Sequence, residues 1–368
     1  MYIKKLNLTN FRNFKTASVN LCNGMNYFYG KNGSGKTSII ESIYYLSLAR
    51  SFRTNKNSVI INHDSKELTI FADLISKQSI EGKLGLTRDL NGHIIVKYNG
   101  EYVEKVSFLA NVICIQLIAP DTFMMFDGGP NLRREFIDWG CFYHFPNYGI
   151  KYFEYKKILK QRNALLQSKT SESYLSIWDK SFIEASIIIN NYRNEYLSIF
   201  NEKAGNIINS MLPDSQLSIE LISGFKTDPF SFEEQLKKSR DREYLLGYSL
   251  FGPHKSDLKV KSNNDNVIDV FSRGQQKLLI TSMRLAQGEL YQDSSHNNCV
   301  YLIDDITSEL DDISKLRLFN YINLHMNNSQ FIITSLNKLD TSMFNNDCTN
   351  NKMFHVEQNE IIENNIQN

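Results

Sequence analysis

Eight consecutive residues, Gly30-Lys31-Asn32-Gly33-Ser34-Gly35-Lys36-Thr37, fit the pattern G-x-x-x-x-G-K-[ST]. Glycines at these places let successive backbone N–H groups turn toward one anion. The Lys36 ammonium can reach outer phosphate oxygens, and the Thr37 hydroxyl can ligate Mg²⁺. Gly30, Asn32, Gly33, Ser34, Gly35, Lys36, Thr37 and Ser38 are therefore expected to surround a polyphosphate. A second feature is Val300-Tyr301-Leu302-Ile303-Asp304-Asp305, an apolar run ending in two carboxylates. Asp304 suits Mg²⁺, and Asp305 suits orienting or activating a water that attacks phosphorus. Plain structural readings exist for both: a glycine turn capping a helix, and a buried strand followed by a helix cap. Their conjunction favours phosphate chemistry.

Two elements must position the loop. Residues 25–29 (Met-Asn-Tyr-Phe-Tyr) read as a strand running into it. Ile39, Ile40, Ile43, Tyr44 and Leu48 recur at a helical period after it. The anion would then sit at a helix N-terminus, where the dipole favours negative charge. The strand ending at Asp304 is expected beside the phosphate loop. Residues 2–8 alternate as a short strand, and residues 57–106 read as an antiparallel meander with Asn91-Gly92 and Asn99-Gly100 as hairpin turns. Residues 111–118 read as a buried strand.

A helical segment interrupts this body. Between Lys151 and Leu212 there is no proline and one glycine, Gly205. Trp178, Phe182, Ala185, Ile189, Tyr192, Tyr196 and Ile199 alternate spacings of four and three, the seam of a long amphipathic helix. Tyr152, Tyr155, Leu159 and Leu166 suggest its partner. Strands resume at Leu217–Leu221 and around Leu258–Val260. The expected organisation is an α/β body split in sequence, 1–140 and 214–368, around a helical insertion, 141–213. The asparagine-rich tail 345–368 reads as weakly ordered, with one short strand at Met353–Val356.

Composition excludes several classes. The chain has 368 residues, 42% hydrophobic and 22% charged, values typical of soluble globular proteins. Lys plus Arg is 41 against Asp plus Glu 40, a net charge of +1, so a nucleic-acid surface would have to be a local patch. Five cysteines, odd in number and never in a C-x-x-C pair, argue against a disulfide framework and for a reducing compartment. No apolar run suits a signal peptide or a membrane span, so a cytoplasmic protein is expected. The seven histidines suggest no metal cluster.

Further motifs narrow the reading. Phe271-Ser272-Arg273-Gly274-Gln275-Gln276-Lys277, opening an apolar helix, resembles the signature of ABC-type ATPases. Ser308-Glu309-Leu310-Asp311 resembles their D-loop. Gln116, on a strand before Ala119-Pro120, resembles their Q-loop glutamine. Phe11-Arg12-Asn13-Phe14, Arg50-Ser51-Phe52-Arg53-Thr54, Gly128-Gly129-Pro130-Asn131-Leu132-Arg133-Arg134, Lys160-Gln161-Arg162-Asn163 and Gly252-Pro253-His254-Lys255-Ser256-Asp257 resemble segments of the RecF family of bacterial recombination proteins. The resemblance runs from residue 2 to about 335. That family is related to the SMC ATPases without their long coiled coils, and the short helical segment here agrees.

The resemblance implies an ABC-type P-loop ATPase head, a mixed sheet plus an antiparallel β lobe, carrying a helical insertion. It implies ATP and Mg²⁺ as cofactors, slow hydrolysis, and a head-to-head homodimer formed on ATP binding. It implies binding to double-stranded DNA at single-strand gaps or junctions, association with RecR, and RecO and the RecA recombinase in the same pathway of DNA repair and replication restart. Residue by residue, Lys36 and Thr37 would meet phosphates and metal, Gln116 metal or water, Asp304 metal, and Asp305 the catalytic water. Ser272, Arg273, Gly274 and Gln275 would meet nucleotide held by the other subunit. Arg273 stands where transporter ATPases carry glycine, and Thr334-Ser335 stand where those carry a histidine.

DNA contacts are assigned to Lys156, Lys157 and Lys160, which with Arg162 form a basic run on the insertion that serves equally as a solvated face, and to Arg50, Arg53 and Lys56, which follow the phosphate-loop helix and could contact either phosphate groups or neighbouring backbone. Arg133, Arg134 and His254 are left between structural and functional roles. Two other classes compete: an ATPase whose purpose is turnover, and an SMC-like DNA tether. The signature motif and its arginine oppose the first, and the short helical segment opposes the second.

Overall fold

The computed structural model describes residues 1–213, 215–295, 297–305, 310–326, 329–338 and 351–364. The chain divides into two compact units, Met1–Phe123 with Ser210–Leu212 and Arg273–Asn368, and Met124–Asn209 with Pro213–Ser272.

The first unit holds two six-stranded sheets. One is antiparallel, in the order Phe14–Asn20, Tyr2–Phe11, Glu67–Ile75, Glu81–Asp89, Ile94–Tyr98 and Glu101–Tyr102. Strict alternation builds it: Leu68, Ile70, Ala72 and Leu74 are fully buried while the residues between them are not. The tight turn before its last strand carries positive φ at both Asn99 (52°) and Gly100 (92°), the backbone an Asn-Gly hairpin requires. The expected meander is present. Residues 111–112, read as the start of a strand, close the short helix Phe108–Val112 instead, and the strand is Cys114–Ile118.

The second sheet runs Glu360–Asn364, Lys352–Glu357, Met25–Tyr29, Gln330–Ser335, Cys299–Ile303 and Cys114–Ile118. All of its pairs are parallel except the outermost hairpin. Cys299–Ile303 is buried at every residue, as a parallel strand covered on both faces must be. The strand carrying Asp304 does not adjoin the strand entering the phosphate loop. Gln330–Ser335 lies between them, which brings Thr334 into the site. The helix Arg273–Ser295 packs closely here: a Cβ at Gly288 would fall 2.0 Å from the Tyr301 hydroxyl.

The short strand expected at Met353–Val356 is present, and the weakly ordered reading of residues 351–364 around it needs correction. Lys352–Glu357 pairs in parallel with Met25–Tyr29 and returns through Glu360–Asn364. Phe354 stacks on Phe28 with ring centroids 4.6 Å apart. Four buried or half-buried apolar positions outweigh the asparagines around them. Residues 345–350 and 365–368 lie outside the described residues.

The second unit contains the helices Pro130–His144, Tyr148–Gln167 and Glu172–Met211 and a small sheet of Leu217–Ile222, Asp257–Ser262 and Asp265–Asn266. The long seam is present: Phe182, Ile189 and Tyr196 are buried. Gly140 is required by it, because a Cβ there would fall 2.1 Å from the Tyr196 ring. The unit is wider than 141–213, since Pro130–His144 packs beside the Asp257–Ser262 strand. Arg133 explains that junction, pairing with Asp257 at 2.6 Å and donating to the carbonyl of Met125 at 2.7 Å. Arg134 donates to the Ser256 carbonyl, also at 2.6 Å.

Candidate nucleotide site

The phosphate loop leaves a buried strand and enters the helix Lys36–Leu48 through Gly35, whose φ is 112°. Gly30 and Gly33 also have positive φ, 155° and 80°. A Cβ at Gly30 would lie 2.2 Å from the Val356 carbonyl oxygen, so the C-terminal hairpin sets how tightly the loop can close. A Cβ at Gly33 would meet nothing within 4 Å. That glycine is demanded by backbone conformation and faces open space. No side chain caps the helix start, so its first N–H groups point toward the loop cavity. Lys36 Nζ folds back to the carbonyls of Gly30 at 2.6 Å and Lys31 at 2.8 Å. Burial lowers the pKa of this ammonium, against the opposing pull of the Asp305 and Asp304 charges.

Asp304 stands just beyond its strand, with its N–H on the Ile118 carbonyl at 2.8 Å. Its Oδ1 accepts from the Thr37 hydroxyl at 3.1 Å and the Thr334 hydroxyl at 2.6 Å. Burial raises the Asp304 pKa, and those two hydroxyls pull it back down. The N–H of Asp305 donates to Thr334 Oγ1 at 3.1 Å, and Asp305 has φ of 52°. A non-glycine residue in that region is strained and needs its surroundings to hold it. Around these groups lies a cavity of about 210 Å³ lined by Asn13, Asn32, Gly33, Gly35, Lys36, Thr37, Ser38, Arg53, Asp304, Asp305 and Thr334.

The lining contains three residues absent from the expected nucleotide set, although the sequence sets Thr334 in place of a histidine and offers Arg53 as a candidate phosphate contact. Thr334 comes from the intervening strand. Asn13 and Arg53 come from loops tied to one fully buried carboxylate, Glu41. Arg12 grips Glu41 at 2.9 and 2.5 Å, Ser51 donates to it at 2.5 Å, and Arg53 stands 3.6 Å away. For Asn13 and Arg53 the available signal was the pair of segments 11–14 and 50–54, both already singled out for their resemblance. Arg53 thus lines the phosphate cavity. Arg50 and Lys56 are exposed nearby in sequence and do not line the cavity.

Gln116 does not reach the site. It is fully buried, pairs with Tyr301 in register, and its amide donates to Gln287 at 3.2 Å. It is not among the residues lining the cavity, which therefore offers no contact for its expected metal and water roles. Ser272, Arg273, Gly274 and Gln275 lie at the start of the helix Arg273–Ser295 and do not line this chain's cavity. Ser308 and Glu309 of the expected D-loop lie outside the described residues. Asp311, the last of that motif, caps the helix Asp312–His325 through the Ser314 N–H at 2.8 Å.

On the second unit Lys156, Lys157 and Lys160 are exposed, whereas Arg162 is completely buried. Arg162 pairs with Asp179 at 2.9 Å and Glu243 at 2.6 Å, so it leaves the basic run for the core. His254 is structural too: Nδ1 takes the Tyr155 hydroxyl at 2.8 Å and Nε2 donates to the Ser249 carbonyl at 2.9 Å.

The residues present suit ATP with Mg²⁺. Ser34 Oγ is buried with no hydrogen-bond partner among the described residues, in a loop where a Cβ at Gly33 would meet nothing within 4 Å. Thr37 and Asp304 supply adjacent hard oxygen donors for a small cation that would draw its other ligands from phosphate and water. Among the described residues no cluster of three or more His, Cys, Asp or Glu could hold a metal ion without such help. Among them, too, no helix is long and apolar enough to cross a membrane.

A parallel sheet with this loop and acidic strand end, beside an antiparallel sheet, defines an ABC-type P-loop ATPase head. The RecF/RecN/SMC N-terminal domain family matches residues 2–362. "DNA replication and repair protein RecF" of Shewanella frigidimarina (strain NCIMB 400) is 38% identical over 360 residues, covering 97% of this chain and 98% of the relative. Its namesake from Vibrio vulnificus (strain CMCP6) is 35% identical over 358 residues, covering 97% and 98%. The chain belongs to the RecF family. The fold agrees with the solved structure of the recombination mediator protein RecF-ATP in the RecFOR pathway, at a TM-score of 0.85, 24% identity and coverage of 99% and 98%. An SMC head bound to the C-terminal winged-helix domain of ScpA follows at a TM-score of 0.60, 17% identity and coverage of 99% and 97%.

Proposed function

We propose that this chain is an ATP-gated DNA-binding protein of DNA repair and replication, whose first unit binds and slowly hydrolyses ATP. The observation that carries the reading is the convergence of Thr37, Asp304 and Asp305 on the cavity under the phosphate loop. The loop N–H groups and the helix N-terminus hold the triphosphate. Lys36 exchanges its two carbonyl partners for phosphate oxygens. Thr37 and Asp304 would hold Mg²⁺, which when bound would supply charge neutralisation at the transferring phosphoryl group. Thr334 fixes the Asp304 carboxylate and the Asp305 backbone. Asp305 orients the attacking water. An aspartate reaches less far than the glutamate common at this place, which supports slow turnover.

Ser272, Arg273, Gly274 and Gln275 are exposed or half-exposed and away from the chain's own cavity. That supports a partner subunit's nucleotide as their target, with ATP bridging a homodimer. In this reading the ATP-bound dimer clamps double-stranded DNA near single-strand gaps and works in the cytoplasm with RecR, and with RecO and RecA in the pathway. Lys156, Lys157, Lys160, Arg50 and Lys56 are the proposed phosphate contacts. The first unit, Met1–Phe123 with Ser210–Leu212 and Arg273–Asn368, carries the ATPase, and the second, Met124–Asn209 with Pro213–Ser272, the accessory helices.

The test compares ATP binding and turnover in Lys36→Met and Asp305→Asn. Lys36→Met should lose binding. Asp305→Asn should keep binding and lose turnover about a hundredfold, the weight of one general-base group. Wild-type turnover in Asp305→Asn, or full binding in Lys36→Met, would sink the reading.

A further inference from the structure

Glu41 has no exposed surface, yet it lies one helical turn beyond Thr37, in the middle of an apolar helix. A buried carboxylate costs several kcal/mol unless paired. Arg12 supplies the pairing, gripping both oxygens at 2.9 and 2.5 Å. Ser51 donates to the same carboxylate at 2.5 Å and, through the same hydroxyl, accepts the N–H groups of Arg53 at 2.9 Å and Thr54 at 3.1 Å. The carboxylate therefore shapes the 51–54 turn from beneath.

Geometry separates the two guanidinium groups that share Glu41. Arg12 is 12% exposed and makes the short contacts, whereas Arg53 is 46% exposed and stands at 3.6 Å, beyond hydrogen-bond length. Arg53 lines the cavity along with Asn13, the neighbour of Arg12, and with Asp304, whose charge it also meets. Glu41 holds Arg53 by charge rather than by a hydrogen bond, at the cavity an anion would enter.

We propose that Glu41 is a positioning residue: through Arg12 and Ser51 it holds Asn13 and Arg53 at the two sides of the phosphate cavity, aimed at the bound triphosphate. This rests on the ATP reading above. A carboxylate that only stabilised the helix would have no coupling to Arg53.

A double-mutant cycle on the full chain reads that coupling. Affinity for ATP in Mg²⁺ is measured for wild type, Glu41→Gln, Arg53→Gln and the double variant, beside Lys36→Met. Each single substitution should weaken ATP binding roughly tenfold, the scale of one lost charge-assisted hydrogen bond. The double variant should be no weaker than either single one, and Glu41→Asp should recover part of the loss. Independent, multiplying losses overturn the proposal. If Glu41→Gln does not fold by circular dichroism, Ser51→Ala takes its place in the cycle, with the same two outcomes deciding. Full ATP binding by Lys36→Met would instead point to failure of the nucleotide reading itself.

Discussion

Thr334 shows how a single hydroxyl joins two neighbouring aspartates at the end of the Cys299–Ile303 strand. It donates to Asp304 and accepts from the Asp305 backbone, where φ is 52°. Thr334→Val keeps the shape and removes both bonds. ATP turnover should fall about tenfold or more, as expected when a group orienting a catalytic acid is lost, while folding is retained. Unchanged turnover would show that the backbone needs no such support. His254 offers a pH readout. Burial pushes its pKa down to about 4 from 6.5. A depressed histidine contributes stability that is present above pH 6.5 and is lost as pH falls through 4. The gap corresponds to about 3 kcal/mol. Urea midpoints should drop more between pH 7 and pH 5 in the wild type than in His254→Gln, whose amide can keep both hydrogen bonds. Parallel profiles would contradict the assignment.

Elements decide what the sequence could and could not disclose. The phosphate loop was legible because its requirements are contiguous: glycine torsions, one ammonium and one hydroxyl within eight residues. Glu41 was not, because its partners Arg12 and Ser51 lie 29 and 10 residues away and an isolated glutamate on a helix reads as a solvated one. Gln116 carries the right residue type at the wrong depth, since motif order along a chain does not reveal how far a strand runs before the site opens. The C-terminal hairpin was hidden by its asparagines, although Met353, Phe354 and Val356 are all buried. Phe354→Ala should destabilise the first unit by about 3–5 kcal/mol, the usual cost of a buried phenylalanine, read by chemical denaturation. A loss under 1 kcal/mol, small beside any large-to-small core change, would restore the weakly ordered reading. Gly140→Ala should be worse tolerated than Gly205→Ala, because the first meets the Tyr196 ring and the second meets nothing within 4 Å.

At the scale of the whole molecule the chain is nearly neutral, with a net charge of +1. One copy has little electrostatic attraction for DNA, and two copies joined by nucleotide would double whatever basic surface each presents. Binding should therefore depend on ATP and weaken steeply with salt. The most direct measurement is sedimentation of the protein with double-stranded DNA, with and without ATP and Mg²⁺, beside Lys36→Met. The account predicts that ATP produces a dimer that co-sediments with DNA and that the variant shows neither. A monomer that binds DNA equally with and without ATP, in both proteins, would contradict it.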